Sequence, residues 1–264
     1  MVAAPVEIPL TGGDVTDGVV RVGGTVRRPV RPSTSAVHAL LRHLETTGFD
    51  GAPRVLGIDG QGREVLTYLE GEAALRPLPG YALTDDTLAA LARLLRRFHD
   101  AAAGFNPPRD AVWEDGSFTD DEPELVGHCD ITPENVIFRD GLPYALIDFD
   151  LARPTTRLFD VVTTLRHWAP IADPVDRDPR QRGLEIGPRL RLFCDAYGLS
   201  GRDRLRLLAQ ARLRLDRSYT AMRARAEADG GGWARMWAEG VGDRIRRAAA
   251  WLDANEDALH DHLI

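Results

Sequence analysis

The sequence predicts an α+β protein with two lobes, a small β-rich amino-terminal lobe and a larger helical carboxy-terminal lobe. Short β-rich runs dominate residues 6–69, with one helical interruption. Proline and glycine then break regular structure over residues 77–80, and long helical periodicity follows. These observations place the lobes at residues 1–71 and 72–264.

The amino-terminal lobe contains two predicted β-hairpins separated by one helix. Residues 19–22 and 25–28 flank the pair Gly23-Gly24, and residues 54–58 and 64–69 flank a second turn. Between the hairpins, an amphipathic helix is predicted from apolar residues at i, i+3, i+4 and i+7, namely Val37, Leu40, Leu41 and Leu44. A glycine-rich loop over residues 11–18 precedes the first hairpin and lacks the G-x-G-x-x-G pattern.

The carboxy-terminal lobe is predicted to be mostly helical. Thr84 can cap a helix with acidic residues in its first turn and an apolar stripe that ends at Phe98. Beyond residue 155 the chain is helical, and its last long helix is marked by Trp233, Trp237, Val241, Ile245, Ala248 and Leu252.

The composition limits the chemistry available to this chain. Its 264 residues include 33 basic side chains, all arginine, against 40 acidic ones, for a net charge of −7. The absence of lysine excludes a lysine nucleophile or Schiff base, so arginine must carry out every cationic function. The acidic balance disfavours nucleic-acid partners. No stretch is long and apolar enough for a membrane span, and we expect a cytoplasmic protein with two reduced cysteines.

Charge is unevenly distributed along the chain. Residues 110–124 carry seven acids and are predicted to form an exposed loop, whereas residues 177–247 carry 17 arginines against nine acids. The acidic loop is either a solvated insertion or an attractor of a cationic substrate. The arginine-rich segment is either a solvated helix surface or a site of anion recognition.

A third predicted hairpin carries the chemistry. Its strands, residues 136–138 and 144–147, flank a turn with Asp140-Gly141, so Asn135 and Asp148 should meet at one end. An amide oxygen and a carboxylate suit Mg²⁺, which takes few protein ligands and completes its shell with water and phosphates. Asp130, in a proline-constrained loop, would add a third oxygen-bearing group, and this combination is typical of phosphoryl transfer.

These residues form two motifs that resemble a known family. The segment from His128 to Asn135, His-Cys-Asp-Ile-Thr-Pro-Glu-Asn, is similar to the H-x-D-x-x-P-x-N catalytic loop of aminoglycoside phosphotransferases and choline-kinase-like enzymes. Ile147-Asp148-Phe149-Asp150 resembles their metal-binding I-D-[FW]-[DE] motif. The resemblance implies a protein-kinase-like fold and an ATP- or GTP- and Mg²⁺-dependent transfer of phosphate to a small-molecule alcohol. An antibiotic such as an aminoglycoside is one acceptor that the resemblance suggests.

The resemblance also implies individual roles. Asp130 would be the catalytic base, His128 would orient the catalytic loop, and Asn135 and Asp148 would hold Mg²⁺ with Asp150 as a further ligand. Asp160 resembles an aspartate that braces this loop in the family. The lobe connector, whose backbone would pair with the nucleotide base, corresponds to Thr67, Tyr68, Leu69, Glu70 and Gly71.

The sequence departs from the family pattern in the amino-terminal lobe. The family uses a lysine or arginine on the third strand to bind phosphates, and here Arg27 or Arg28 is available. We favour Arg28 because it should share a strand face with Val26. The helix position expected to hold its glutamate partner is His38. A catalytically silent nucleotide-binding or scaffolding protein is therefore the alternative function, and the oligomeric state is not encoded in any motif.

Overall fold

The computed structural model describes residues 6–10 and 18–264, and it has the α+β, kinase-like architecture that the sequence predicts. The predicted glycine-rich loop at residues 11–18 lies, except for Gly18, outside the described residues. The division into lobes at residue 71 stays a prediction. No helix within the described ranges is long and apolar enough to cross a membrane.

A five-stranded sheet occupies the amino-terminal part of the chain. Its strands are β1 (Ile8–Pro9), β2 (Val20–Val22), β3 (Thr25–Pro29), β4 (Val55–Ile58) and β5 (Arg63–Thr67). The order across the sheet is β1-β2-β3-β5-β4, and all neighbours are antiparallel. The β2–β3 turn uses Gly23 at a φ of 59°, a conformation that glycine adopts without steric cost. Both predicted hairpins of this region are present.

One helix, α1 (Thr34–Thr46), crosses this sheet region, as the apolar spacing predicts. Leu40, Leu41 and Leu44 on its inner face are buried. The chain leaves the helix through Gly48 at a φ of 77°, a common way for a helix to end.

Five further strands build two small sheets. They are β6 (Glu72–Ala73), β7 (Leu125–Gly127), β8 (Val136–Arg139), β9 (Leu142–Leu146) and β10 (Arg153–Thr155). Strands β6, β8 and β9 form one antiparallel sheet, and β7 pairs with β10 in the other. The sequence predicted the β8–β9 hairpin but not the short strands β6, β7 and β10, which have too few residues to show a period of two.

The rest of the described chain consists of helices and the segments that join them. The helices are α2 (Asp85–Ala102), α3 (Arg157–Trp168), α4 (Ile186–Tyr197), α5 (Gly201–Ala228), α6 (Gly231–Ala238) and α7 (Val241–His260). The predicted last long helix is in fact two helices. Gly240 separates them at a φ of 83°, which a right-handed helix cannot contain.

Helix α2 lies at the centre of the core. Its first turn is capped by Thr84, whose hydroxyl accepts a hydrogen bond from the backbone N–H of Thr87, as predicted. Leu88, Leu95 and Phe98 on its apolar stripe have no exposed surface. The helix packs against α4 and strand β9, and thereby supports the hairpin that carries the candidate site.

Candidate active site

The β8–β9 hairpin brings the predicted site residues together. Val136 pairs with Leu146, and the N–H of Ile147 donates to the carbonyl of Asn135 at 2.9 Å. Asn135 Nδ2 then donates to both the backbone oxygen and Oδ2 of Asp130, at 2.9 and 3.0 Å. Asn135, Asp130 and Asp148 accordingly line one cavity, as their sequence spacing predicts.

Asp160 holds the loop that carries Asp130. Its carboxylate, fully buried at the start of α3, accepts hydrogen bonds from the backbone N–H groups of His128 at 2.8 Å and Cys129 at 2.9 Å. His99 Nε2 contacts the same carboxylate at 3.0 Å. Burial acts to raise the pKa of Asp160, but the hydrogen bond and charge of His99, together with the loop N–H groups, lower it overall. Asp160 therefore braces the loop as an ionised acceptor.

His128 lies beneath the site and is fully buried. Its Nε2 donates to the carbonyl of Ile147 at 2.9 Å, and its ring packs on Phe149 with 4.5 Å between centroids. Burial lowers its pKa, so the imidazole is neutral. This geometry joins the loop before Asp130 to the strand before Asp148, a positioning contact away from the cavity.

Two residues at the site adopt left-handed backbone conformations. Cys129 has a φ of 60° and Asp148 has a φ of 61°. Such a conformation costs a non-glycine residue roughly 1–2 kcal/mol. It persists at Cys129 because Asp160 binds the N–H of that residue. The Cys129 thiol itself is buried, which raises its pKa to about 12, so it is neutral and serves packing.

Arg28, on β3, reaches the acidic end of the site. Its guanidinium contacts Asp148 Oδ1 at 3.1 Å and also binds Asp150, while its Nε lies 3.0 Å from Glu64. Burial would lower the pKa of Arg28, but the three carboxylates raise it above its ordinary value. Of the two candidate arginines, the structure thus brings Arg28 to the predicted metal ligands, whereas Arg27 lies 3.7 Å from Asp59 on the other side of the sheet.

Glu64 supplies the carboxylate that the helix lacks, and the sequence analysis missed it. It lies opposite Arg28 in the β3–β5 register and is buried. His38 Nε2, on α1, contacts its second oxygen at 2.8 Å. The expected helix glutamate is thus replaced by a strand glutamate held by a helix histidine. The signal was available, because pairing β3 with β5 through their alternating patterns would have placed Glu64 across from Arg28.

The predicted connector follows β5 directly. Its backbone is partly engaged, since the N–H of Tyr68 donates to Gly24 at 2.9 Å and the carbonyl of Glu70 accepts from Arg139 at 3.1 Å. Leu69 lies between them, and Thr67 pairs with Arg54. Gly71 has a φ of 147°, and a Cβ there would lie 2.5 Å from the Phe138 carbonyl oxygen. Only glycine fits this close approach of the connector to β8.

The site opens into a cavity of about 340 Å³. The carboxylates of Asp130, Asp148 and Asp150 line one side. Three arginines, Arg153, Arg166 and Arg214, line another. The far wall is apolar and comes from α5, α6 and α7, with the side chains of Met222, Trp233, Met236, Val241 and Ile245.

Burial and like charge raise the pKa values of the clustered carboxylates. Burial first, and then the neighbouring Asp148 carboxylate, raise the pKa of Asp130 to about 7 against the opposing effect of Arg214. The same two causes raise the pKa of Asp150 to about 6, although Arg28 and Arg31 lower it. This concentration of negative charge suits a divalent cation.

The donor set fits Mg²⁺. Because Asn135 donates through Nδ2 to Asp130, its Oδ1 is left as an acceptor, and it lies with Asp148 and Asp150 in one cavity. No cluster of three or more His, Cys, Asp or Glu side chains in residues 6–10 and 18–264 is arranged as a metal site. Mg²⁺ needs only one or two carboxylates when phosphates complete its shell.

The acidic segment at residues 110–124 packs on the arginine-rich helix α5 rather than facing solvent alone. Glu114 pairs with Arg225 at 2.6 Å, and Asp121 pairs with Arg206 at 2.6 Å. A further pair joins Asp120 to Arg217 at 2.8 Å. Three of the seven acids in this segment are thus paired with arginines of α5. The segment also forms part of the cavity wall through residues 115–117.

Comparison with known proteins agrees with this architecture. The phosphotransferase enzyme family matches residues 109–208. A trifolitoxin immunity protein from Rhizobium leguminosarum bv. trifolii is 39% identical over 208 residues, which are 75% of this chain and 76% of that protein.

Solved structures share the fold at low sequence identity. A choline/ethanolamine kinase family protein from Mesorhizobium loti superposes with a TM-score of 0.64 at 15% identity, covering 99% of this chain and 92% of its own. An ADP-bound aminoglycoside phosphotransferase gives 0.58 at 14% identity, with 95% of each chain covered. An amicoumacin kinase in complex with AMP-PNP, Ca²⁺ and Ami gives a TM-score of 0.60 at 11% identity, covering 94% of this chain and 88% of its own.

Proposed function

Because this chain belongs to the phosphotransferase enzyme family, we propose that it transfers the terminal phosphate of ATP or GTP to a hydroxyl of a small molecule. The observation that carries the proposal is the meeting of Asp130, Asn135 and Asp148 at the end of the β8–β9 hairpin, beside Arg28. Fold neighbours solved with ADP and AMP-PNP support a nucleotide donor. The named relative supports a toxin or antibiotic as the acceptor.

The mechanism assigns each step to a side chain. Arg28 and the connector would bind the nucleotide. Asn135, Asp148 and Asp150 would hold Mg²⁺, which would neutralise phosphate charge. Asp130 accepts the proton of the acceptor hydroxyl as the new oxygen–phosphorus bond forms and the bond to the leaving diphosphate breaks. His128 and Asp160 keep Asp130 in place and do not touch the reactants.

Replacing the base tests this assignment. Asp130→Asn should lower turnover at least about 100-fold, because it removes the proton acceptor, and leave nucleotide affinity nearly unchanged. We would measure ADP release and product mass with ATP, Mg²⁺ and a panel of aminoglycosides, nucleoside antibiotics, macrolides, amino alcohols and hydroxy acids. Asp140→Asn, in the exposed β8–β9 turn, is the matched control. Wild-type turnover by Asp130→Asn would contradict the base assignment.

The alternative is a catalytically silent nucleotide-binding or scaffolding protein. It is favoured by one observation, since Arg28 binds both Asp148 and Asp150 and so competes with a metal for these carboxylates. An enzyme should couple metal to nucleotide, and Mg²⁺ should raise ATP affinity by about 5- to 150-fold. Calorimetry with and without Mg²⁺, on the wild type and Asp148→Asn, measures this coupling. No coupling in the wild type would favour the scaffold.

A further inference from the structure

Three arginines beside the base, two of them buried and one half-buried, lack a carboxylate partner. Arg153, Arg166 and Arg214, the acceptor-side arginines, line the cavity with Asp130. Among the described residues, none of the three has a carboxylate oxygen within 4.0 Å, although most other arginines in the same ranges do, such as Arg225 with Glu114. Arg153 is 9% exposed and Arg214 is 8% exposed, whereas Arg166 is half-buried. The charges of Arg153 and Arg214 are therefore largely removed from water.

The hydrogen bonds that these arginines make are to neutral groups. Arg214 donates to the hydroxyls of Thr163 at 3.0 Å and Ser218 at 2.9 Å. Arg153 donates to the backbone carbonyl of Glu114 at 3.5 Å and to the sulfur of Cys129, and its buried Nε has no partner in the described chain. The guanidinium of Arg166 makes no hydrogen bond with the described residues. Guanidinium groups with five donors each are thus left with unused donors at the cavity.

The proximity of the three acceptor-side arginines is electrostatically unfavourable unless an anion neutralises their charges. Burial, and then the charges of Arg166 and Arg153, lower the pKa of Arg214 to about 9, so it stays charged at neutral pH. Arg166 and Arg214 likewise help to lower the pKa of the neighbouring His167, which is neutral. Three clustered cations opposed by the Asp130 carboxylate need a counter-ion that this part of the chain does not supply.

The acidic segment cannot supply that counter-ion. Glu114, Asp120 and Asp121 are each paired with arginines of α5 outside the trio. Asp115 lines the cavity but lies within 4.0 Å of none of its arginines. Gly116 lies so close to the Arg153 guanidinium that a Cβ there would be 1.8 Å from Nη1. The segment therefore contacts Arg153 through the backbone of a glycine, which brings no charge.

We propose that the acceptor carries an anionic group, a carboxylate or a phosphate, which the acceptor-side arginines bind while its hydroxyl faces Asp130 and its apolar part lies against α6 and α7. This inference rests on the proposed phosphotransfer and names its substrate class. Arginine binds both anions through paired N–H donors. The apolar wall around Trp233, Met236 and Ile245 indicates that the rest of the acceptor is apolar. A polycation such as an aminoglycoside would be repelled here.

Inorganic sulfate is the first probe of the arginines. We would measure its effect on the melting temperature at low millimolar concentration and constant ionic strength, with AMP-PNP and Mg²⁺ saturating the nucleotide site. Arg166→Gln should weaken sulfate binding at least about 10-fold. The variant should fold normally, since the Arg166 side chain has no hydrogen bond to lose. Arg214→Gln provides a second variant. Arg202→Gln, exposed on the same helix α5, is the control and should bind sulfate as the wild type does.

Three outcomes of this experiment would overturn the inference. The first is equal sulfate binding by the wild type and both cavity variants, and the second is no sulfate binding by the wild type. The third is a loss of AMP-PNP affinity in Arg166→Gln with sulfate binding intact, which would assign the arginines to the nucleotide.

Matched pairs of hydroxyl compounds distinguish the two anion sources. Calorimetry in the presence of AMP-PNP compares 3-phenyllactate with 3-phenyllactamide, and glycerol 3-phosphate with glycerol. The anionic member of at least one pair should bind about 10-fold more tightly, and Arg166→Gln should abolish the difference. Neutral members that bind as tightly as their anionic counterparts would overturn the inference. If no member of either pair binds, the sulfate experiment decides whether the arginines form an anion site.

Measuring anion binding and turnover separately distinguishes a failure of this inference from a failure of the proposed function. Anion binding without turnover on any acceptor would contradict the phosphotransfer alone. Turnover on a neutral or cationic acceptor, without anion binding, would contradict the anionic acceptor alone.

Discussion

Two groups of arginine, Arg28 beside the predicted metal ligands and three arginines that line the cavity, differ in their counter-ions. Arg28 lies among Glu64, Asp148 and Asp150, so its charge is neutralised within the chain. The acceptor-side arginines, Arg153, Arg166 and Arg214, have only neutral hydrogen-bond partners among the described residues. Arg28 thus has its counter-charge within the chain, whereas the acceptor-side arginines require a ligand to supply theirs.

The difference predicts opposite consequences for stability. Removing one partner from a buried ion pair leaves the other charge without compensation and is costly. Removing one of several clustered like charges relieves repulsion instead. Substitution of arginines in the two groups therefore tests whether the groups differ as the structure indicates.

Arg28→Met should have the larger effect. It would leave Glu64, Asp148 and Asp150 without their shared cation and lower the free energy of unfolding by about 3 kcal/mol, the lower end of the range for broken buried pairs because Asp148 is partly exposed. Urea unfolding measures the change. Arg202→Gln should match the wild type within about 0.5 kcal/mol. A stability equal to that of the wild type would mean that the three carboxylates do not depend on Arg28.

Arg166→Gln should change the free energy of unfolding less than Arg28→Met does, and any change should be stabilising. Because Arg166 has no carboxylate or hydrogen-bond partner in the described chain, its removal should leave the free energy of unfolding unchanged within about 0.5 kcal/mol or raise it slightly. The same urea experiment without added anions measures it. A loss above about 2 kcal/mol would show that Arg166 has a structural role.

The sequence predicted the site where its residues are close along the chain. Asp130, Asn135 and Asp148 are joined by one loop and one hairpin, so a turn signal and alternating strands were enough to bring them together. The cap at Thr84 and the stripe that ends at Phe98 were predictable for the same local reason. The kinase-like architecture came from the resemblance of these motifs.

Contacts between distant segments could not be predicted in the same way. Glu64 meets Arg28 only because β5 inserts beside β3, and His38 joins them from α1. The acceptor-side arginines come from β10, α3 and α5, which the helical periodicity does not place relative to one another. The acidic segment and α5 were two separate charge anomalies in the sequence, and only the tertiary structure reveals that they pair.

The burial of both cysteines has a practical consequence for labelling. Cys129 and Cys194 are buried, and burial raises the pKa of each thiol to about 12, so little reactive thiolate forms at neutral pH. The chain also has no lysine to react with amine reagents. A cysteine introduced at an exposed position of the five-stranded sheet and another on α5 would therefore be the preferred sites for a pair of fluorescent dyes. Energy transfer between them would report the distance between the sheet and α5 in an otherwise native chain.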